Sequence, residues 1–90
     1  MELANELLTR SKDVAWRIID NEAVLVIPEK NKIMVLNPAG SFIWQLLDGK
    51  NCLSNIIEAV LNEFEVKRQE ISRDIEHFIK DLSENKLLAQ

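Results

Sequence analysis

Residues 32–49 read KIMVLNPAGSFIWQLLDG, and this stretch predicts a β-strand that runs directly into an α-helix. Residues 32–36 are rich in apolar and β-branched side chains, which suits a half-buried strand. Asn37 can cap the first free amides of a helix, and Pro38 suits the first helical position because its missing N–H is not needed there. Apolar side chains then recur at helical spacing at Phe42, Ile43, Leu46 and Leu47. Trp44 adds a large side chain beside this apolar stripe. Gly49 is expected to end the helix in the left-handed conformation.

The 90 residues are enough for one small domain, with an ordinary globular composition of 47% hydrophobic and 29% charged residues. Residues 1–13 carry too few apolar side chains for a stable helix, so we interpret them as an N-terminal arm before a domain at residues 14–90. The net charge of −4 disfavours a nucleic-acid partner, because such affinity depends on neutralising phosphates. The single cysteine excludes an internal disulfide and suits a reducing compartment. Without a basic signal segment or a membrane-length apolar run, we expect a cytoplasmic protein with no membrane partner.

Two further strands are expected before that stretch, at residues 14–19 and 23–27. A short turn at residues 20–22 joins them, and residues 28–31 lead into the strand at 32–36. Such short connections favour a three-stranded antiparallel meander in which the third strand lies at an edge.

Two amphipathic helices are expected after that stretch, at residues 53–64 and 68–84, because apolar side chains recur on one face of each. Lys50 and Asn51 are expected to form the loop before them, and Asn85 is expected to be a left-handed cap after them. The order βββααα, with two helices joined by a short turn, predicts an α+β fold of the winged helix-turn-helix type.

Both faces of the predicted sheet need apolar cover, and a chain of 90 residues has three helices for one face and little left for the other. The strand at residues 23–27 is apolar at successive positions, so both of its faces need cover. The strand at residues 32–36 is an apolar edge, whose unpaired backbone groups proteins normally hide. Two explanations stay open: the third helix and the arm cover the excess, or a partner peptide completes the sheet.

No set of residues for catalysis, metal binding or cofactor binding is recognisable in the sequence. His77 is the only histidine and Cys52 the only cysteine, and neither has an identifiable orienting partner. A helix-turn-helix suggests DNA binding, but residues 67–86 carry five basic and five acidic side chains, which makes a poor ligand for a duplex. The sequence therefore predicts a protein that is not an enzyme and holds no metal or cofactor.

Four sequence patterns carry a resemblance to a known family: RSxDVAWR at residues 10–17, VLNPxGxxIWxLLDG at 35–49, IIEAVL at 56–61 and DIxxFIxxL at 74–82. They resemble the PqqD-like family, which is related to the pyrroloquinoline quinone (PQQ) biosynthesis protein D. Its members are also known as recognition elements for ribosomally synthesised and post-translationally modified peptides (RiPPs). The resemblance covers residues 9–88 and implies a winged helix-turn-helix-like domain. It also implies a peptide chaperone that binds the leader of a precursor peptide and presents it to a modifying enzyme, often of the radical SAM type.

The resemblance also implies where the leader binds. In the family, the leader pairs as an additional strand on the third strand and lies in a groove against the third helix. Carried over to this sequence, the backbone pairing falls on Lys32, Ile33, Met34, Val35 and Leu36. The groove contacts fall on Asp74, His77, Phe78 and Asp81. The sequence departs from the family pattern at three helix caps, namely Cys52, Lys67 and Asn85. Each departure weakens its helix end by at most about 1 kcal/mol.

Two classes of function stay open. The first is a non-catalytic adaptor, monomeric or weakly dimeric, that serves a leader peptide and its modifying enzyme in PQQ or other RiPP biosynthesis. The alternative is a winged-helix DNA-binding or general protein-interaction domain. A gene for a short precursor peptide beside a gene for a radical SAM enzyme would distinguish the two.

Overall fold

The strands and helices follow the predicted order, with two short strands added. A computed structural model describes residues 6–89. Its strands are β1 (Leu8–Thr9), β2 (Ala15–Ile19), β3 (Glu22–Ile27), β4 (Lys32–Val35) and β5 (Asp48–Asn51). Its helices are α1 (Pro38–Leu46), α2 (Leu53–Glu63) and α3 (Arg68–Glu84), and a 3₁₀ turn at Pro28–Lys30 joins β3 to β4. The predicted α+β class, a three-stranded antiparallel sheet followed by three helices, is confirmed.

Strands β2, β3 and β4 form an antiparallel meander with β4 at one edge. Asp20 and Asn21 form the turn between β2 and β3, with φ of 51° and 67°. Positive φ at both central residues is the type I′ geometry, which fits the twist of a hairpin. Asn31, with φ of 50°, reverses the chain again before β4. The predicted edge position of the third strand is therefore confirmed.

The junction between β4 and α1 forms as the sequence predicts. Asn37 Oδ1 accepts a hydrogen bond from the Gly40 N–H at 2.7 Å, and a proline occupies the first helical position. The buried Ser41 hydroxyl ties this junction to the sheet. Its oxygen accepts a hydrogen bond from the Ala23 N–H at 2.6 Å, and its O–H donates to the Leu36 carbonyl at 3.1 Å. The start of α1 is thereby fixed against the end of β4.

The predicted end of α1 at Gly49 is wrong. Helix α1 ends at Leu46, and Gly49 lies inside β5 with φ of 83°. Lys50 and Asn51, predicted to form a loop, belong to the same strand, which pairs with β1. A Cβ at position 49 would lie 3.0 Å from Thr9 Oγ1. The glycine therefore serves the pairing of two strands and not the end of a helix.

The N-terminal segment is bound to the domain from Leu8 onward. Leu8 is buried, and the Ser11 N–H donates to the Leu87 carbonyl at 2.9 Å. The arm predicted at residues 1–13 therefore lies partly against the C-terminal tail. Residues 1–5 lie outside the described residues, and the division into an arm and a domain stays a prediction.

The left-handed residue after α3 lies one position later than predicted. Asn85 has φ of −91°, and Lys86 takes the left-handed conformation with φ of 61°. The Lys86 N–H donates to the Ser83 carbonyl at 3.0 Å, and the Leu87 N–H donates to the Leu82 carbonyl at 2.9 Å. This pattern is a Schellman motif, in which glycine is usual at the left-handed position. Lys86 thus holds a backbone conformation that a side chain disfavours.

Helices α2 and α3 begin without the usual caps. At the start of α2, Asn55 Oδ1 accepts from the Cys52 N–H at 3.0 Å. A hydrogen bond with the Ser54 hydroxyl, and then one with the Asn55 backbone, hold the pKa of the half-buried Cys52 thiol below its ordinary value. At the start of α3, Lys67 makes no side-chain cap hydrogen bond, as the sequence predicts.

Trp44 lies fully buried at the centre of the core, which confirms its predicted position. Its ring meets Trp16 edge to face at a centroid distance of 6.2 Å. The Arg10 guanidinium lies 4.7 Å above the Trp16 ring and donates to the Trp44 carbonyl at 2.8 Å. Trp44 Nε1 has no hydrogen-bond partner among the described residues.

Within residues 6–89, no helix is both long and apolar enough to cross a membrane.

The helices cover only one face of the main sheet. Strand β3 buries the side chains of Ala23, Leu25 and Ile27 in the core. The opposite face, which we call the outer face, exposes Ile19, Val26, Ile33 and Val35. Within residues 6–89, therefore, α3 does not cover the excess apolar surface that the sequence predicts.

Candidate functional site

The edge of β4 that faces away from β3 is open, because no strand among residues 6–89 pairs with its backbone groups. The Leu36 N–H donates to the Ala23 carbonyl of β3 at 2.9 Å. Hydrogen-bonding directions alternate along an antiparallel strand, so the backbone groups of Met34 also face β3. The N–H and C=O groups of Ile33 and Val35 therefore point to the open edge. The side chains of these two residues are 68% and 57% exposed, so nothing described covers this edge from the outer face.

A groove of about 350 Å³ lies beside this edge, between the end of β4, the start of α1 and the middle of α3. We call it the β4–α3 groove. Its lining is formed by Val35, Leu36, Asn37, Ala39, Gly40, Ile43, Ile71, Asp74, Ile75 and Phe78. Most of these side chains are apolar, and Asp74 is the only charged residue among them. A peptide that enters the groove therefore meets hydrocarbon surface with one carboxylate.

The closeness of α1 to α3 shapes the groove. A Cβ at Gly40 would lie 3.5 Å from Phe78 Cζ and 3.1 Å from Asn37 Oδ1. Any larger side chain at position 40 would therefore fill the groove and press on the helix cap. On α3, Ile75 is buried in the core, whereas Ile71 and Phe78 are half-buried and form the wall of the groove.

The structure brings together only part of the predicted site. Of the predicted residues on β4 and next to it, Val35 and Leu36 line the groove, and Ile33 and Val35 present their backbone to the edge. Lys32 is exposed and Met34 is half-buried against the core, and neither lines the groove. These placements do not test the proposed contacts, which stay predictions.

The four predicted positions on α3 separate into two pairs. Asp74 and Phe78 line the groove, whereas His77 and Asp81 are exposed and lie outside its lining. Six further residues line the groove that the sequence did not predict for the site: Asn37, Ala39, Gly40, Ile43, Ile71 and Ile75. Their signal was present, since Ile71 and Ile75 belong to the apolar stripe of α3, but that stripe alone does not distinguish a groove wall from a core.

Together the fold and the site define a small α+β domain with an open edge strand beside an apolar helix groove. The chain belongs to the PqqD family: residues 22–88 match the family described as coenzyme PQQ synthesis protein D (PqqD). It is also 31% identical over 65 residues to the PqqA binding protein of Gluconobacter oxydans (strain 621H). That match covers 72% of this chain and 68% of the relative.

Two solved structures share the fold. TbiB1 in complex with the TbiA(beta) leader peptide is 31% identical, with a TM-score of 0.81 over 89% of this chain and 93% of that one. Lasso peptide synthetase B1 complexed with the leader peptide is 25% identical, with a TM-score of 0.79 over 93% of this chain and 99% of that one. Both of these proteins were thus solved with a leader peptide. The predicted family is confirmed.

Proposed function

We propose that this protein is a non-catalytic adaptor that binds the leader of a ribosomally made precursor peptide and presents it to a modifying enzyme. The observation that carries the proposal is the open β4 edge beside the apolar groove, in a chain whose relatives are a PqqA binding protein and two leader-peptide complexes. A catalytic role would need reactive groups in the groove, whose lining contains no histidine, cysteine or lysine.

The edge supplies affinity through the backbone. In strand addition, an extended peptide hydrogen-bonds to the free N–H and C=O groups of an edge strand, whatever its side chains. Here those groups belong to Ile33 and Val35, two positions apart, which matches the two-residue repeat of a strand. The leader would become the fourth strand of the β2–β3–β4 sheet.

The groove supplies selectivity through side chains. Successive side chains of an added strand point to opposite faces of the sheet. Those on the core side would meet the groove wall at Ile71, Phe78 and Asp74, and those on the other side would lie next to Ile33 and Val35. The proposal therefore favours a leader segment with apolar side chains on both faces.

The finer parts of the proposal concern the setting of the protein. We place it in the cytoplasm, as a winged helix-turn-helix-like domain that works with a radical SAM or other RiPP-modifying enzyme. The single cysteine, the net charge of −4 and the family relationship support this setting.

Proline substitutions test the proposed strand addition. Val35→Pro removes an N–H that points to the open edge, so leader binding should fall strongly while the fold survives. Met34→Pro removes an N–H that faces β3 and leaves a sheet carbonyl unpaired, so it should destabilise the fold by about 1–3 kcal/mol. The measurement is a titration of isotope-labelled protein with the leader of the precursor encoded beside its gene, followed by amide shifts.

The opposite edge of the sheet offers a matched control. By the same alternation, the N–H of Ile18 on β2 points away from β3. Ile18→Pro should therefore disturb the fold about as much as Val35→Pro and leave leader binding intact. Equal losses of binding in the two variants, or amide shifts confined to α2, would contradict strand addition at β4.

A further inference from the structure

A second concave region shares no lining residue with the β4–α3 groove. This cleft, which we call the basic cleft, has a volume of about 800 Å³ and lies where three segments meet: residues 9–14, residues 27–30 and the C-terminal tail at 85–89. Along α3, the groove reaches Phe78 and the cleft begins at Asn85, which is about 10 Å farther along the helix. A ligand in one region thus leaves the other accessible.

The charge of the basic cleft is opposite to that of the whole protein. Its lining contains four basic side chains, Arg10, Lys12, Lys30 and Lys86, and two acidic ones, Asp13 and Glu29. The whole chain has a net charge of −4. A local excess of positive charge on an acidic protein attracts an anionic partner to that place.

Among residues 6–89, the ammonium groups of the cleft form no ion pair with a carboxylate. Among residues 6–89 the ion pair found is that of Arg68 with Glu58, which does not involve the cleft. Lys30 Nζ donates to the neutral Asn85 Oδ1 at 3.1 Å. Arg10 is used internally, because its Nη1 donates to main-chain carbonyls of α1. Within the part of the chain that the structure describes, the charges of Lys12, Lys30 and Lys86 are therefore available to a ligand.

Lys86 places a cation beside the cleft at a position whose backbone conformation favours glycine. It occupies the left-handed position of the Schellman motif, where glycine would relieve the backbone strain. The end of α3 favours a nearby cation through its helix dipole, and this accounts in part for Lys30 and Lys86. It does not account for Lys12, which comes from a separate segment before β2.

The apolar part of the lining selects among anions. Val14, Ile27 and Leu88 line the cleft as core residues that are 6–9% exposed, and Pro28 is exposed beside them. A small inorganic anion would leave most of this surface and volume unused, since clefts of several hundred Å³ hold ligands of much larger size. A polynucleotide would meet a protein that is acidic as a whole. A peptide segment with alternating carboxylates and aliphatic side chains satisfies both the charge and the surface.

We propose that the basic cleft is a second peptide-binding site, which binds an acidic segment of a partner protein independently of the leader site. The ammonium groups pair with its carboxylates, and the apolar lining takes its aliphatic side chains. Because the pairs are exposed, binding weakens as salt concentration rises. The inference stands on the cleft alone and holds whether or not the β4 edge binds a leader.

The test is a titration of the full isotope-labelled chain with the peptide acetyl-Glu-Leu-Glu-Glu-Leu-Glu-amide at low and at high salt. Amide shifts are expected in residues 10–14, 29–30 and 85–89, and not along β4. Lys12→Gln and Lys86→Gly should each weaken binding by about two- to fivefold, the effect of one exposed ion pair. Lys80→Gln, an exposed lysine of α3 outside the cleft, is the matched control and should bind as the parent does.

Several outcomes would overturn the proposal. Equal binding of the peptide in which glutamine replaces every glutamate would remove the role of charge. Shifts of the same residues by inorganic phosphate at the same concentration would point to a small-anion site, and tighter binding of a single-stranded oligonucleotide would point to nucleic acid. Because Lys86→Gly should raise the melting temperature, a loss of binding in that variant cannot be ascribed to unfolding.

Discussion

The β4–α3 groove and the basic cleft differ in almost every physical property. The groove is the smaller, at about 350 Å³ against about 800 Å³, and its lining carries one carboxylate and no basic residue. The cleft carries four basic side chains and no open strand edge. Volume and charge alone would select the cleft as the main site. The proposed leader site depends instead on the unpaired backbone beside the groove, which neither volume nor charge describes.

The comparison separates two kinds of recognition within one small domain. The proposed backbone pairing at β4 would tolerate many leader sequences and depend little on salt, because its hydrogen bonds would join neutral groups. Ion pairs in the cleft are specific for anions and are screened by salt. A protein with both sites could hold a leader and a second polypeptide at the same time. The following predictions test the two regions from the largest expected effect to the smallest.

Loss of Trp44 should abolish both regions together. Its side chain is fully buried, and Trp44→Ala should reduce the free energy of unfolding by about 3–5 kcal/mol, which is much of the stability of a small domain. Trp44→Phe should cost much less, because it also removes an Nε1–H that lacks a partner among the described residues. His77→Ala, an exposed control, should change stability very little. Denaturant melts measure all three, and a parent-like Trp44→Ala would refute the core assignment.

Truncation of Phe78 should damage the groove and spare the cleft. Phe78 is only half-buried, so Phe78→Ala should cost about half of a fully buried phenylalanine, or roughly 2 kcal/mol. Leader binding should fall by much more than this loss of stability explains, since the wall of the groove is removed. Binding of the acidic peptide should stay at the parent level. The measurement is a titration of the variant with the leader and with the acidic peptide, at a temperature where the variant is folded. A parallel loss of binding for both peptides would show that the two regions are coupled.

Glycine at position 86 should stabilise the fold while weakening the cleft. Lys86→Gly relieves a left-handed backbone, and the free energy of unfolding should rise by up to about 1 kcal/mol. Asn85→Gly is the matched control: its φ of −91° needs no glycine, and it loses the hydrogen bond from Lys30, so its stability should fall. Thermal melts of the two variants show whether each substitution raises or lowers the stability of the fold. A destabilised Lys86→Gly would show that no strain is present at that residue.

Protonation of Asp48 should have the smallest effect, and it should touch neither region. The Lys50 N–H, followed by the N–H of Asp48 itself and then by the Asn51 side chain, holds the pKa of this carboxyl below its ordinary value of 3.8. A carboxyl whose pKa is lowered by folding stabilises the fold above its unfolded pKa and loses that contribution as the pH falls through the folded pKa. Asp48→Asn should therefore flatten the dependence of urea midpoints on pH below about 4. An unchanged slope would exclude Asp48 as a source of acid sensitivity.

Much of the fold could be predicted because its signals are short-range. The Asn37 cap, the Pro38 start and the turn at Asp20 and Asn21 each depend on backbone needs within a few residues, and all three are present in the structure. The order of the elements and the edge position of β4 follow from short connections. The family resemblance added the place of a ligand. Of its groove residues, Asp74 and Phe78 line the groove and His77 and Asp81 do not, and their contacts with a leader stay predictions.

The errors came from contacts between distant residues. Gly49 carries the signal of a helix end, yet its φ of 83° serves the pairing of β5 with a strand about forty positions earlier. Nothing near Lys50 in the sequence indicates that pairing. The sequence likewise predicts the left-handed conformation at Asn85, whereas Lys86 adopts it. The residue at which a helix ends depends on where its packing against other segments ends.

The sequence by itself determined the class of the fold, the meander with its apolar edge and the strand-to-helix junction at residues 36–38, since each follows from local backbone preference and side-chain periodicity. Only the tertiary structure decided which way the β4 backbone points, because the register with β3 turns the Ile33 and Val35 groups outward. It alone also formed the β4–α3 groove and the basic cleft, because the lining of each comes from segments that are far apart in the chain and meet only when the core closes.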